Sequence, residues 1–192
     1  MSVYLILASA SPRRRELLAE AGYAFEVEPS DIVEPEPSLG IAPGIYAAGL
    51  AWRKSAAIAI RRGTGLILAA DTVGAVDGQI LNKPADRADA EWMIRLQEGR
   101  ESEVFTAICL FRAERWEWVG AVETSVVRFR RLSDEERIAY LDSRRWEGKA
   151  GAYGMQDHDP YVDLLRGTYS NVVGLPLERL AELLEGHPGL TR

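Results

Sequence analysis

An apolar run, Val3-Tyr4-Leu5-Ile6-Leu7-Ala8, passes directly into Ser9-Ala10-Ser11-Pro12-Arg13-Arg14-Arg15. The run is short and partly β-branched or aromatic, which reads as a buried strand. Ser11 before Pro12 marks a helix start, because serine caps free N–H groups and proline fits the first helical position. Leu17, Leu18 and Ala21 continue that helix, and Gly22 ends it. The chain therefore opens on a strand–helix unit whose first helical turn carries Arg13, Arg14 and Arg15. A helix N-terminus bears partial positive charge, so a cation there costs roughly 0.3–1 kcal/mol. Exposed N–H groups, two serine hydroxyls and guanidinium forks at one point make an anion site, best suited to phosphate. Arg15 alone reads as a solvated basic face, whereas Arg13 and Arg14 read as phosphate ligands.

The chain has 192 residues, 47% of them hydrophobic, enough for one domain over 1–192 with a real core, in one or two lobes. Its formal net charge of −6 argues against a generic binder of nucleic acid or of membrane surfaces, so basic residues matter locally. The single cysteine, Cys109, sits in an apolar run and reads as a small core hydrophobe. One cysteine rules out an internal disulfide and fits a reducing compartment. The first residues lack the basic segment of a secretory signal, and no apolar run is long enough to span a bilayer. The expected location is the cytoplasm.

Residues 24–28 alternate as a short strand, and Pro29, Pro35 and Pro37 make the following stretch a loop. Residues 43–62 form a helix with an apolar stripe through Ala47, Leu50, Ala51 and Ile58. Lys54 falls on that stripe, a poor place for an ammonium group unless it points into a site. Residues 65–70 read as a second buried strand that stops at Asp71-Thr72. Asp77-Gly78 is a two-residue hairpin turn between residues 73–76 and 79–81. A helix over 85–96 follows, then two long strands near 104–112 and 116–130. Ser133-Asp134-Glu135-Glu136 is a capping box opening a helix to about Asp142. A glycine-rich segment over 148–154, a strand near 161–165 and a helix over 176–185 come last. Strand–helix units first and antiparallel pairs in the middle predict an α/β fold: a mixed sheet flanked by helices, not a pure Rossmann winding.

Three features could converge on the anion site. Asp71 at a strand end is where α/β sheets place ligand-binding carboxylates. It could hold Mg²⁺, accept a proton from water, or simply open a turn. Lys83-Pro84 projects a lysine from a fixed backbone. Gly148-Lys149-Ala150-Gly151-Ala152-Tyr153-Gly154-Met155-Gln156 is built for close backbone approach. Gln156 offers both a donor and an acceptor to the edge of a nucleobase, or else braces the loop. In Asp157-His158-Asp159 the consecutive spacing splays the side chains, which makes a poor metal site.

Taken together, Ser9-x-Ser11-Pro12-Arg13-Arg14, Ala70-Asp71-Thr72, Asn82-Lys83-Pro84, the 149–156 segment and Gly174-Leu175-Pro176 resemble the Maf family of nucleoside triphosphate pyrophosphatases. The order and spacing match over essentially the whole chain. The resemblance implies a two-lobed α/β fold similar to inosine triphosphatase, with the site in the cleft between lobes. It implies cleavage between the α- and β-phosphates with a divalent metal cation, Mg²⁺ or Mn²⁺. Asp71 matches the family's proton-accepting aspartate, and Ser9, Arg13, Arg14, Lys54 and Lys83 match its phosphate contacts. Glu34 matches an acidic position taken as a second metal or water ligand beside Asp71. Arg13, Thr72 and Gln156 fit the branch preferring dTTP and UTP, whereas the 7-methyl-GTP branch carries tryptophan and glutamine at the first two positions. Many members have glycine after the glutamine, where this chain has Asp157. The expected partner is the nucleotide, held by a homodimer, with no nucleic acid or membrane involved. Two other readings are a nucleotidyltransferase, whose paired glycines are missing at Ala8-Ser9-Ala10, and a nucleotide-binding regulator without turnover.

Overall fold

In the computed structural model, which describes residues 4–155 and 160–190, the opening apolar run forms strand β1 (Tyr4–Leu7) and the Ser-Pro signal opens helix α1 (Pro12–Glu20). Ser11 takes the cap position, but its hydroxyl makes no capping hydrogen bond; its amide donates instead to Ser9 Oγ at 3.2 Å. Strand β2 (Ala24–Val27) lies parallel to β1, and β1 lies parallel to strand β3 (Leu66–Val76). Between β2 and β3 runs helix α2 (Pro43–Arg62), opened by Pro43 and closed by Gly63 with φ 68°. Such a left-handed residue ends a helix at little cost only when it is glycine.

The expected strand end at Asp71 is not there. β3 continues to Val76 because strand β5 (Glu101–Arg112) pairs antiparallel along its other edge, with Asp71 opposite Ala107 and Thr72 opposite Thr106. Strand β4 (Gln79–Leu81) folds back through the Asp77-Gly78 turn onto Val76, Ala75 and Gly74. Strand β6 (Glu117–Phe129) pairs with β5, and strand β7 (Val162–Arg166) pairs with β6. The seven-stranded mixed sheet has the order β2-β1-β3-β5-β6-β7, with β4 beside β3.

Helix α3 (Arg87–Gln97) starts two residues later than the periodicity predicts, because the Asp86 side chain caps it by accepting from Asp89 N–H. The capping box before helix α4 (Asp134–Asp142) is fully formed, with both Ser133–Glu136 bonds present. Helix α5 (Tyr169–Val173) was not anticipated, since five residues are too few for a periodic signal. Helix α6 (Leu177–Gly186) follows it. No helix among the described residues is long and apolar enough to cross a membrane.

Helix α2 covers one face of the sheet along both lobes. Its Ala56, Ile58 and Ala59 pack on Ile67 and Ala69, and its Ala47, Leu50 and Ala51 pack on Val73 and Cys109. On the opposite face, α1, α5 and α6 pack on Leu5, Leu7, Leu66 and Leu68, while α3 and α4 pack around Val76, Leu81 and Phe129. The two helix groups on that face leave a cleft between them. Cys109 is the core residue the sequence implies; the Ser55 hydroxyl donates to its sulfur at 3.2 Å, and burial pushes its thiol up to about 11.

Gly167 turns the chain from β7 into α5 with φ 90°, and a Cβ there would lie 2.7 Å from Ser125 Cα. Gly167→Ala combines left-handed strain with a backbone clash, and should lower stability by about 2–4 kcal/mol in denaturant unfolding. A loss below about 1 kcal/mol would show that the turn relaxes freely.

Candidate active site

β3 serves two neighbours along one edge. It pairs with β1 as far as Leu68 and with β4 from Gly74 onward, and among the described residues no strand lies beside it between those points. Side chains alternate along the strand, so Asp71 projects toward α2 and Thr72 toward the opposite helix group. Both reach the cleft through the gap in that edge. The cleft measures about 620 Å³, and Arg13, Arg14, Lys54, Lys83 and Lys149 all line it, although the chain carries −6 overall. Its volume is that of a small-molecule site.

Asp71 is 5% exposed and Lys54 7%, so both charges lie out of water. The Lys54 ammonium stands 2.5 Å from Asp71 Oδ1 and 2.7 Å from Glu34 Oε1. This answers why a lysine sits on the apolar stripe of α2: it crosses the α2 face to meet β3 and the proline-rich loop. That loop is anchored by the Tyr46 hydroxyl, which donates to Pro35 C=O at 2.8 Å. Burial pushes the Asp71 carboxyl above the usual aspartate range, and the charge and hydrogen bond of Lys54, with Arg14, only partly oppose it. Burial also pushes Glu34 up, but the hydrogen bond and charge of Lys54, with Lys83 and Arg14, outweigh it and leave Glu34 below the usual range.

Arg14 is built into the scaffold. Its Nε donates to Gly174 C=O at 2.8 Å, Nη1 to Ser9 Oγ at 3.1 Å and Nη2 to Thr72 Oγ1 at 3.2 Å. One guanidinium thus joins the first loop, β3 and the end of α5. Among the described residues Arg13 makes one hydrogen bond, Nη2 to Gly148 C=O at 3.2 Å, which reaches across the cleft to the glycine-rich loop. Arg15 is exposed and outside the cleft lining, as its reading as a solvated face requires. Lys83 is exposed where it lines the cleft.

The glycine-rich loop is held from three sides. Gly151 N–H donates to Asn82 C=O at 3.1 Å, Gln97 Nε2 donates to Gly151 C=O at 2.7 Å, and the Tyr140 hydroxyl donates to Ala152 C=O at 3.0 Å. Gly151 has φ 67°, a left-handed conformation that favours glycine. Gln156, which the sequence assigns to the base, lies outside the described residues, as do Asp157, His158 and Asp159. Tyr46, Gln97 and Thr106 are contributors that the sequence reading missed. Their only signal is polarity inside apolar segments, a sign of a bonded interior group rather than of a particular role.

Asp71 and Glu34 offer hard carboxylate oxygens on either side of one ammonium. That donor set fits Mg²⁺, which takes one or two protein carboxylates and completes its shell with water and substrate phosphate. Among the described residues no group of three or more His, Cys, Asp or Glu side chains gathers as an all-protein metal cage.

The family model described as Maf-like protein matches residues 4–187. The dTTP/UTP pyrophosphatase of Rhodopirellula baltica is 48% identical over 184 residues, covering 94% of this chain and 81% of that one. The dTTP/UTP pyrophosphatase of Ruminiclostridium cellulolyticum is 42% identical, covering 94% of each. That of Symbiobacterium thermophilum is also 42% identical, covering 97% of this chain and 96% of that one. Among solved structures, the Staphylococcus aureus Ham1 protein aligns with a TM-score of 0.48 at 16% identity, over 66% of this chain and 71% of that one. The chain belongs to the Maf family.

A raised folded-state pKa means that the native protein binds the Asp71 proton more tightly than the unfolded chain does. Ionised Asp71 therefore costs stability, a cost that sets in as pH rises from the ordinary aspartate value, about 3.9, through the folded one. Carbon-13 NMR titration of the Asp71 carboxyl should give a midpoint above the ordinary value. Lys54→Met should move it further up, because Lys54 is the main influence holding it down. A midpoint at or below the ordinary value would overturn the assignment of burial as the dominant cause.

Proposed function

We propose that this chain hydrolyses dTTP and UTP to the nucleoside monophosphate and pyrophosphate; its relatives carry the name dTTP/UTP pyrophosphatase. The observation that carries the reading is Asp71: a buried carboxylate with raised proton affinity at the gap between β1 and β4 along the β3 edge, ringed by cationic side chains in a cleft of nucleotide size. In this reading the triphosphate lies along Arg13, Arg14 and Lys83, with the buried Ser9 hydroxyl at its start. Charge-assisted bonds to phosphate are short and about twice as strong as neutral ones.

Asp71 takes a proton from water as the water oxygen bonds to the α-phosphorus. The bond from the α-phosphorus to the oxygen bridging to the β-phosphorus breaks, and pyrophosphate leaves with that oxygen and its electron pair. Lys54 stays close to both carboxylates and limits the cost of ionising Asp71 in a dry site. A divalent cation held by Asp71 and Glu34 would neutralise charge on the transferring phosphoryl group. At the base, Gln156 follows the glycine-rich loop and would meet the pairing edge of uracil or thymine, with Thr72 and Arg13 shaping the pocket. A single catalytic domain over the whole chain, paired as a homodimer in the cytoplasm, completes the proposal.

A panel of dTTP, UTP, CTP, ATP, GTP and 7-methyl-GTP tests it by kcat/KM, with pyrophosphate as the product measured. Similar values for dTTP and UTP, with ATP and GTP at least about tenfold lower, are expected, because a buried polar edge left unmatched costs about 1–3 kcal/mol. Preference for a purine would overturn the branch, and absence of pyrophosphate release would overturn the activity. Asp71→Asn should lower kcat by about 10²–10⁴-fold while melting at or above the wild-type temperature, since it removes a base and an ionised buried group together. Excess EDTA should abolish turnover, and full activity in its presence would exclude the cation.

A further inference from the structure

Beneath the cleft, a chain of hydroxyls runs from Arg14 into α5. Arg14 Nη2 donates to Thr72 Oγ1 at 3.2 Å, Thr72 Oγ1 lies 2.9 Å from Thr106 Oγ1, and Thr106 Oγ1 donates to Asn171 C=O at 2.8 Å. The last bond settles the direction of the others. A hydroxyl has one proton, and Thr106 commits it to the Asn171 carbonyl, so toward Thr72 it can only accept. Thr72 must then give its proton to Thr106 and turn a lone pair to Arg14. Thr106 is fully buried and outside the cleft lining, so it cannot touch a ligand there. Asn171, at the far end, is itself fixed: its Nδ2 donates to Val104 C=O at 3.1 Å and to Ser125 Oγ at 2.8 Å.

We propose that Thr106 is a positioning residue, which fixes the proton direction of Thr72 and thereby the orientation of the Arg14 guanidinium. Without it, the Thr72 hydroxyl is free to rotate and to aim its proton at a guanidinium that has only protons to offer. The consequence for nucleotide binding rests on the reading that Arg14 holds substrate phosphate.

Two measurements test this. In the nucleotide-free protein, nitrogen-15 NMR reads solvent exchange of the Arg14 Nε proton, which donates to Gly174 C=O. Thr106→Val keeps the shape and removes the hydroxyl, and should speed that exchange by at least about fivefold, whereas Thr106→Ser should stay within about twofold of wild type. Kinetically, Thr106→Val should lower kcat/KM for dTTP by about tenfold, mainly through KM, with serine restoring it. In a Thr72→Val background, Thr106→Val should add nothing, because its route of action is already gone. Unchanged exchange in Thr106→Val, a serine variant as impaired as the valine, or additive effects in the double variant would each overturn the proposal. If the wild type turns over neither dTTP nor UTP, the functional reading fails, and the exchange measurement still decides Thr106. Melting curves report folding; should the valine fold poorly, Thr106→Ala, which cannot overpack, takes its place with the same expectation.

Discussion

β3 cannot be shared by β1 and β4 along the same edge without a gap, and the site is what that gap makes possible. β1 ends at Leu7 because the chain must leave the sheet to start α1, and β4 can begin only after the Asp77-Gly78 turn has reversed the chain. Between them β3 is held on its other side by β5, so it continues unbroken while one edge lies open. A strand in that position shows both faces to one cleft. Adjacent residues that would be on opposite sides of a closed sheet, Asp71 and Thr72, therefore serve the same site. Open α/β sheets bind ligands where neighbouring strands part, and here the parting lies along one edge of a continuous strand.

The polar residues at this gap are balanced against each other. Two carboxylates near one point would repel, and an unpaired ammonium on a buried helix face would be costly to desolvate. Lys54, 2.5 Å from Asp71 and 2.7 Å from Glu34, lets the two carboxyl groups lie close together. The pair responds unequally. Asp71, nearly enclosed, keeps raised proton affinity, while Glu34, with its side chain 37% exposed, is left more acidic than usual. Two carboxyl groups whose environments push them apart in this way are suited to different tasks, one to take a proton and one to stay charged.

Much of this was legible in the sequence, and the misses share a cause. Local signals carried well: the Ser-Pro start of α1, the Asp77-Gly78 turn and the Ser133 capping box all depend on neighbours within a few residues. The apolar run ending at Ala70 reads as a strand that stops at Asp71, but β3 continues to Val76 although β1 accompanies it only as far as Leu68. The strand stays buried past that point, and what changes is residue type: the polar pair Asp71-Thr72 interrupts the apolar run without ending the backbone pairing to β5. Lys54 was legible as a misfit on its helix, although nothing local names Asp71 and Glu34 as its partners. Gln97 and Thr106 were invisible as site residues because their partners, Gly151 and Asn171, are brought to them only by the tertiary fold.

Three consecutive arginines in the first turn of α1 oppose the helix dipole, and the fold resolves the conflict differently for each. Arg15 turns to solvent, where water screens it. Arg13 spans the cleft with one bond to Gly148, a contact loose enough to be exchanged for a ligand anion. Arg14 is satisfied by three protein oxygens from three separate parts of the chain, so its orientation is set during folding rather than on binding. A guanidinium has five N–H donors in a rigid fork, and fixing three of them in place leaves the others aimed. Binding then costs little side-chain entropy at Arg14, and any anion that fits must match a direction already chosen. The unfavourable dipole term is small beside that gain. It persists because the same helix start that repels the arginines also supplies the N–H groups an anion needs.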